Sequence, residues 1–195
     1  MYHDKQINRE MVKERLLASF LHKNNENIIS EKDHTIRVGK LAASLYKALG
    51  KSKEEVANFS KAVRLHDIGK IIVPKEVFNK VAPLTEDEWR IIKTHTQASY
   101  QILRVMHEYE MHAEAILYHH ERLDGTGYPQ GLVGDEIPLE SRVLAIADAY
   151  EAMISNRPYK KAMSIDEAIM ELRRCSGSQF DGELVEIFIE KVLNK

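Results

Sequence analysis

Apolar residues in this chain recur at intervals of three and four, the spacing that gathers side chains on one face of an α-helix. Val56, Phe59 and Val63 form one such stripe, and His66 continues it. Val38, Leu41, Leu45 and Leu49 form another, with His34 one turn ahead. Ile92, His95, Ser99, Ile102 and Met106 share a third face. Residues 141–154 are apolar nearly all round, which predicts a deeply buried helix, and Asp148 stands inside it one turn after Leu144. The β-branched run Ile71-Ile72-Val73 is cut short by Pro74, so it does not make a strand.

Helix ends carry their own signals. Ser52-Lys53-Glu54-Glu55 and Thr85-Glu86-Asp87-Glu88 read as capping boxes, with Leu84 and Trp89 placed as a hydrophobic staple on the second, and Ser164-Ile165-Asp166-Glu167 caps a further helix. Ser30-Glu31-Lys32-Asp33, a box-like start, opens a helix that runs to Gly50 at its C′ position, and Asp181 caps the last helix. Further helices are expected near residues 75–80 and 111–120, and Asp124, Gly125, Gly127 and Pro129 mark a loop. Gly69 is expected at a helix C′ position, with His66 and Lys70 near the last carbonyls. The fold class is all-α, a helical bundle. A charged first helix over residues 8–24 stands apart: residues 1–28 read as a lead-in from an upstream domain, a dimerising coil or a helix packed on its own domain, and 29–195 as the main domain.

Composition narrows the function. A formal charge of −2 and a pI near 6.5 give no global basic field for a nucleic-acid polymer, so any phosphate-handling charge must be local. The single cysteine, Cys175, excludes an internal disulfide, fits a reducing cytoplasm and reads as core. No signal-peptide pattern or membrane-length apolar run is present. Nine histidines is a high count for 195 residues. His34, His66, His95, His119 and His120 fall on core-facing positions or helix ends, whereas His3, His22, His107 and His112 read as surface residues.

A lone histidine on an apolar face is more often a satisfied core residue than a ligand. Five of them converging with Asp67 and Asp148 change that weighting, because an unpaired carboxylate inside an apolar helix needs a cation or a strong donor. Imidazole and carboxylate without thiolate suit iron, manganese, zinc or nickel and argue against a structural zinc knot. Seven candidate ligands exceed one ion, and the carboxylate of a His-Asp pair can bridge two. Two metals about 3.5–4 Å apart activate a bridging hydroxide and neutralise a phosphoryl group, so the implied chemistry is phosphoester hydrolysis. Lys70, just past the pair, is placed to meet a phosphate oxygen or a developing alkoxide. Arg157 and Lys160 offer a planar fork and a point charge, or else belong to a solvated loop.

These motifs resemble the HD superfamily of metal-dependent phosphohydrolases. His119-His120-Glu121, the run from Asp124 through Gly125, Thr126, Gly127 and Tyr128 to Pro129, and Asp148 followed by Arg157-Pro158-Tyr159 resemble its HD-GYP branch. The resemblance spans residues 30–188. It implies an HD-superfamily bundle with a metal site in its core and hydrolysis of bacterial cyclic di-GMP to linear pGpG and onward to GMP. It implies His34, His66, Asp67, His95, His119, His120 and Asp148 as metal ligands, Asp67 bridging two ions, iron or manganese foremost. It also implies Lys70 at the phosphate, Arg157 and Lys160 holding substrate, and a GYP loop that contacts cyclic di-GMP synthases of the GGDEF type.

The loop has a plainer reading as a tight turn, against one that sets Tyr128 beside substrate or a partner. Two departures from the branch stand out. Some members carry a glutamate one turn before the first histidine that helps hold a third metal. Here that position is Ser30, and Glu31 points about 100° away on the helix, so a binuclear site is expected. Ala98 stands where glycine is usual, and its methyl should be tolerated. Two competing functions remain: an HD phosphohydrolase for another nucleotide or dinucleotide, and a non-catalytic module that responds to cyclic di-GMP by binding partners.

Overall fold

The computed structural model describes residues 28–156 and 161–194, so the lead helix, Arg157 and Lys160 lie outside the described residues. The described chain is helical, as the spacing predicts. Its α-helices are α1 (Ile28–Ala48), α2 (Lys53–Val63), α3 (Lys75–Phe78), α4 (Glu86–Arg104), α5 (Ala113–Leu117), α6 (Leu139–Ile154), α7 (Ile165–Arg174) and α8 (Gly182–Ile187), the last continued by a π-turn at Phe188–Val192. Short 3-10 turns at Ile68–Ile72, Glu110–His112 and Gly134–Glu136 join them. α1 packs along both α2 and α6, and α4 lies against the 68–72 turn and α5. The apolar stripes close a single core in which Val38, Leu45, Phe59, Val63, Leu103, Leu144, Ile146 and Phe188 are fully buried.

Both predicted capping boxes form, and the Ser164 cap is one as well: the side chains of Ser52, Thr85 and Ser164 accept from the third helical N–H, and Glu55, Glu88 and Glu167 reach back to the cap. Asp181 caps α8 through the N–H groups of Glu183 and Leu184. Gly50 takes a positive φ of 81° just after α1, as expected for a helix end. Ser30, by contrast, lies inside α1, which already runs from Ile28. The helix expected over 111–120 is shorter: a 3-10 turn leads into α5, and residues 118–120 are turn.

Gly69 overturns its expected role. α2 ends at Val63, and Gly69 sits without a positive φ in the next 3-10 turn. A Cβ there would come within 2.1 Å of the His95 carbonyl oxygen and 2.6 Å of the Ser99 N. Glycine is needed because this turn presses directly on the α4 backbone, where the Gly69 N–H donates to Ser99 Oγ at 2.9 Å. That contact sets the distance between His66-Asp67 and His95. Gly69→Ala should therefore cost at least about 1–3 kcal/mol of stability, the scale of overpacking. An unchanged urea midpoint would refute the close-approach explanation.

Candidate metal centre

Five elements deliver the predicted side chains to one place. His34 comes from α1, His66 and Asp67 from the turn after α2, His95 from α4, His119 and His120 from the turn after α5, and Asp148 from α6. Their rings touch in sequence: His34–His66 centroids lie 5.6 Å apart, His66–His119 5.2 Å, His95–His119 5.7 Å and His119–His120 4.0 Å. His66, His95, His119 and Asp67 are buried, while His120 and Asp148 are half-buried beside a cleft.

The donor atoms form two outer sets joined by a third. His34, His66 and Asp148 offer one group of mutually close ligand atoms, His95, His119 and His120 offer another, and His66, Asp67 and His119 form a group that overlaps both. Asp67 lies between the outer sets: Oδ2 is 3.2 Å from His66 Nε2, and Oδ1 is 3.3 Å from His95 Nε2. Asp148 Oδ1 faces His34 Nε2 at 3.2 Å and His66 Nε2 at 3.8 Å.

Local backbone chemistry fixes how three of these rings point. Nδ1 of His66, His95 and His119 lies 2.8, 2.7 and 2.6 Å from the carbonyl three residues earlier, on Val63, Ile92 and Ile116. A carbonyl can only accept, so each Nδ1 carries its proton and each Nε2 turns a lone pair inward. Those three Nε2 atoms and Asp67 Oδ1 are buried with no hydrogen-bond partner among the described residues. Unmet buried acceptors cost about 1–3 kcal/mol each. Lone pairs facing a carboxylate are stable only with a cation or a proton between them. A ring held through its other nitrogen is also how metal-bound histidines are oriented. The residues present therefore fit a metal pair.

Ionisation follows the same division. Burial opposes charge on His34, but the Asp148 and Glu151 carboxylates outweigh it and push its pKa up to about 10. Burial likewise opposes charge on His66, and Asp67 and Asp148 raise it nonetheless. His95, His119 and His120 move down, chiefly through burial, His120 to about 4, which keeps their lone pairs free. Burial alone would raise the Asp67 and Asp148 carboxyls. Lys70 and His66 hold Asp67 ionised, and His34, His66 and His120 do so for Asp148. Lys70 Nζ sits 2.6 Å from Asp67 Oδ2, beside the cluster and outside its donor sets.

Two partners escaped the sequence reading. Glu151, one turn after Asp148, is buried and bonds His34 Nδ1, and it is itself held by Arg37 Nε at 2.6 Å and Ser155 Oγ at 2.5 Å. Its spacing on α6 was the available signal. Glu121 is buried behind His120 and receives the N–H groups of Gln130, Gly131 and Leu132 at 2.6–3.1 Å. It folds the loop back so that Tyr128 stacks on His120, with centroids 4.9 Å apart, and Lys93 Nζ stands 5.1 Å over the Tyr128 ring. Gly127 permits that fold, since a Cβ would meet Arg122 N at 2.4 Å. His112 corrects the surface reading: it is buried, with Nδ1 3.0 Å from Glu140. His107 is exposed as expected, and His3 and His22 lie outside the described residues. Ala98 is half-buried on the outer side of α4, where its methyl has room in a groove.

The family model described as "HD domain" matches residues 15–184. The chain is 40% identical over 159 residues to a cyclic di-GMP phosphodiesterase of Thermotoga maritima, covering 80% of this chain and 43% of that one. It is 35% identical to a 3'3'-cGAMP-specific phosphodiesterase 3 of Vibrio cholerae, covering 83% of this chain and 35% of that one. It thus spans less than half the length of either relative. Among solved structures it is similar to Bd1817, an HDG"Y"P protein of Bdellovibrio bacteriovorus, with a TM-score of 0.66 at 18% identity over 87% of this chain and 54% of that one. No helix among the described residues is long and apolar enough to cross a membrane.

Two outcomes check this geometry. In the metal-free protein the pairing of protonated His34 stabilises the fold fully below the free-histidine value and fades as pH rises through about 10. At pH 7.5 that proton occupies the place a metal would take, so loading manganese should release at least about one proton per chain into weak buffer. Loading with no release would contradict the assignment. Glu121→Gln cannot receive all the loop's N–H groups and should speed amide exchange at residues 130–132, with a loss of about 1–3 kcal/mol. Unchanged exchange there would show that the loop is held otherwise.

Proposed function

This chain belongs to the HD-domain family, and we propose that it is of the HD-GYP branch, a metal-dependent phosphodiesterase that opens cyclic di-GMP to linear pGpG. A second cleavage of pGpG would give GMP. The observation that carries the reading is Asp67, whose two oxygens face two separate sets of imidazoles. HD-domain phosphohydrolases use divalent metals. His34, His66 and Asp148 would hold one ion and His95, His119 and His120 the second, with Asp67 shared; iron or manganese suits the set best, and zinc or nickel is chemically admissible. A bound pair supplies a nucleophile at neutral pH and neutralises phosphoryl charge.

The chain's own groups do the rest. Lys70, 2.6 Å from Asp67, is positioned to meet a phosphate oxygen or the leaving 3′ oxygen with its ammonium. Tyr128 lies against His120 at the edge of the cleft, where it would flank the sugar or base. Arg157 and Lys160, assigned from sequence, would hold the phosphate that is not being cleaved. Residues 29–195 form the catalytic domain in this reading, working in the cytoplasm. A GGDEF-type synthase at the GYP loop and a homodimer through the lead helix are the partners to test.

The relative specific for 3'3'-cGAMP favours a second reading, a mixed cyclic dinucleotide as substrate. A binding-only module is disfavoured by the full donor set. Anaerobically prepared protein should carry close to two transition-metal ions per chain, as a two-metal mechanism needs, and turn over cyclic di-GMP under iron or manganese. Near-zero metal with nucleotide binding intact would replace the enzyme with the module. Lys70→Ala should keep the metals and lose about 10²–10³ in kcat, the scale of one lost charge-stabilising donor. Loss of metal in that variant would contradict its role.

A further inference from the structure

Beside the metal centre lies a cleft of about 710 Å³, within the roughly 300–1,000 Å³ of small-molecule sites. His119, His120 and Asp148 line it on the metal side. The first two turns of α4 line it too, contributing Glu86, Trp89, Arg90 and Lys93. Their spacing of i, i+3, i+4 and i+7 makes one helical face, rotated away from the face that buries His95. Trp89 is 48% exposed on this face. It lines the cleft from the first turn of α4 and keeps nearly half of its surface accessible.

A cyclic dinucleotide has two phosphates and two bases, and the metal centre addresses one phosphate. Its bases need a surface of their own. An exposed indole offers any base a stacking platform, while the neighbouring groups discriminate between bases. Guanine presents N–H donors on the edge where adenine presents a bare N1. A carboxylate accepts from the first and repels the second. A guanidinium pairs with the O6 and N7 acceptors of guanine.

On the reading that this domain cleaves cyclic dinucleotides, we propose that the α4 face is a guanine subsite: Trp89 stacks on a base, Glu86 receives its N–H edge, and the exposed Arg90 guanidinium, which bonds Asp87 at 2.8 Å, turns to its O6/N7 edge. The subsite selects substrates with at least one guanine. It makes Trp89 and Glu86 specificity determinants that take no part in bond cleavage.

The chain has a single tryptophan, so Trp89 reports on its own occupancy. Manganese-loaded wild-type protein titrated with a non-hydrolysable phosphorothioate analogue of cyclic di-GMP should show saturable quenching of its fluorescence. The cyclic di-AMP analogue should quench weakly or not at all. Trp89→Ala should raise KM for cyclic di-GMP by about tenfold or more, the lower part of the range for one lost base stack, with a smaller change in kcat, and Trp89→Phe should recover most of it. Glu86→Ala should narrow the preference for cyclic di-GMP over cyclic di-AMP by about tenfold. Metal content and melting temperature identify a misfolded variant. In that case the wild-type fluorescence and the Phe variant decide. Turnover of cyclic di-GMP with silent fluorescence and unchanged KM in Trp89→Ala would overturn the subsite and leave the phosphodiesterase standing. No turnover and no binding of any cyclic dinucleotide would overturn the functional reading and the subsite with it.

Discussion

A carboxylate buried between two groups of imidazoles is stable only where positive charge compensates it, and Asp67 imposes that requirement on the bundle. The compensation comes from elements far apart in sequence. Lys70 stands at one oxygen, His66 and His95 close on either side, and Asp148 with His34 completes the half supplied by α1 and α6. The position of Asp67 depends in turn on how closely its turn can approach α4. Gly69 removes the side chain that would separate them, and Ser99 answers the amide thus brought in. The centre is therefore assembled by backbone contact as much as by its donor atoms.

Most of the architecture was legible because its signals are local. Two capping boxes and the Ser164 and Asp181 caps rest on short-range hydrogen bonds, and each forms as read. The apolar stripes named the core correctly, since a helix can bury only one face cheaply and these positions share one. The misreadings occur where tertiary contact decides. Gly69 carried the local signature of a helix end, but the approach of α4, thirty residues on, sets its role. The helix near residue 111 has few flanking signals, and the chain there tightens into a 3-10 turn and a short α5.

The candidate centre was legible through three histidines on apolar stripes, His34, His66 and His95, together with the adjacent pair His119-His120. All seven proposed donors come together, although nothing in their spacing reveals which ring faces which carboxylate. Glu151 went unread, and Glu121 was noted in the His119-His120-Glu121 motif without a role, because both look like ordinary acids on or near a helix. Only the fold shows the first beneath His34 and the second beneath a loop whose amides converge on it. His112 was misplaced for a similar reason: it stands outside the apolar stripes read from the sequence, and its partners Glu140 and Phe59 come from α6 and α2.

The contact that buries His112 also bears on how the metal centre can move. Glu140 at the start of α6 accepts from Tyr46 on α1 at 2.7 Å as well as lying against His112, while Glu151 at the far end of α6 bonds His34. Tyr46 and His34 are twelve residues apart on α1, and Glu140 and Glu151 eleven apart on α6, so both spans are about 16–18 Å. The two antiparallel helices are thus riveted at both ends at matched lengths. A slip of one residue, about 1.5 Å, would break both rivets together. α1 and α6 behave as a rigid frame with no sliding freedom. Adjustment to a bulky substrate is left to the 121–133 loop, whose base is tied by the Leu123 and Asp124 N–H groups to the 178–179 backbone and whose far side is gathered on the Glu121 carboxylate.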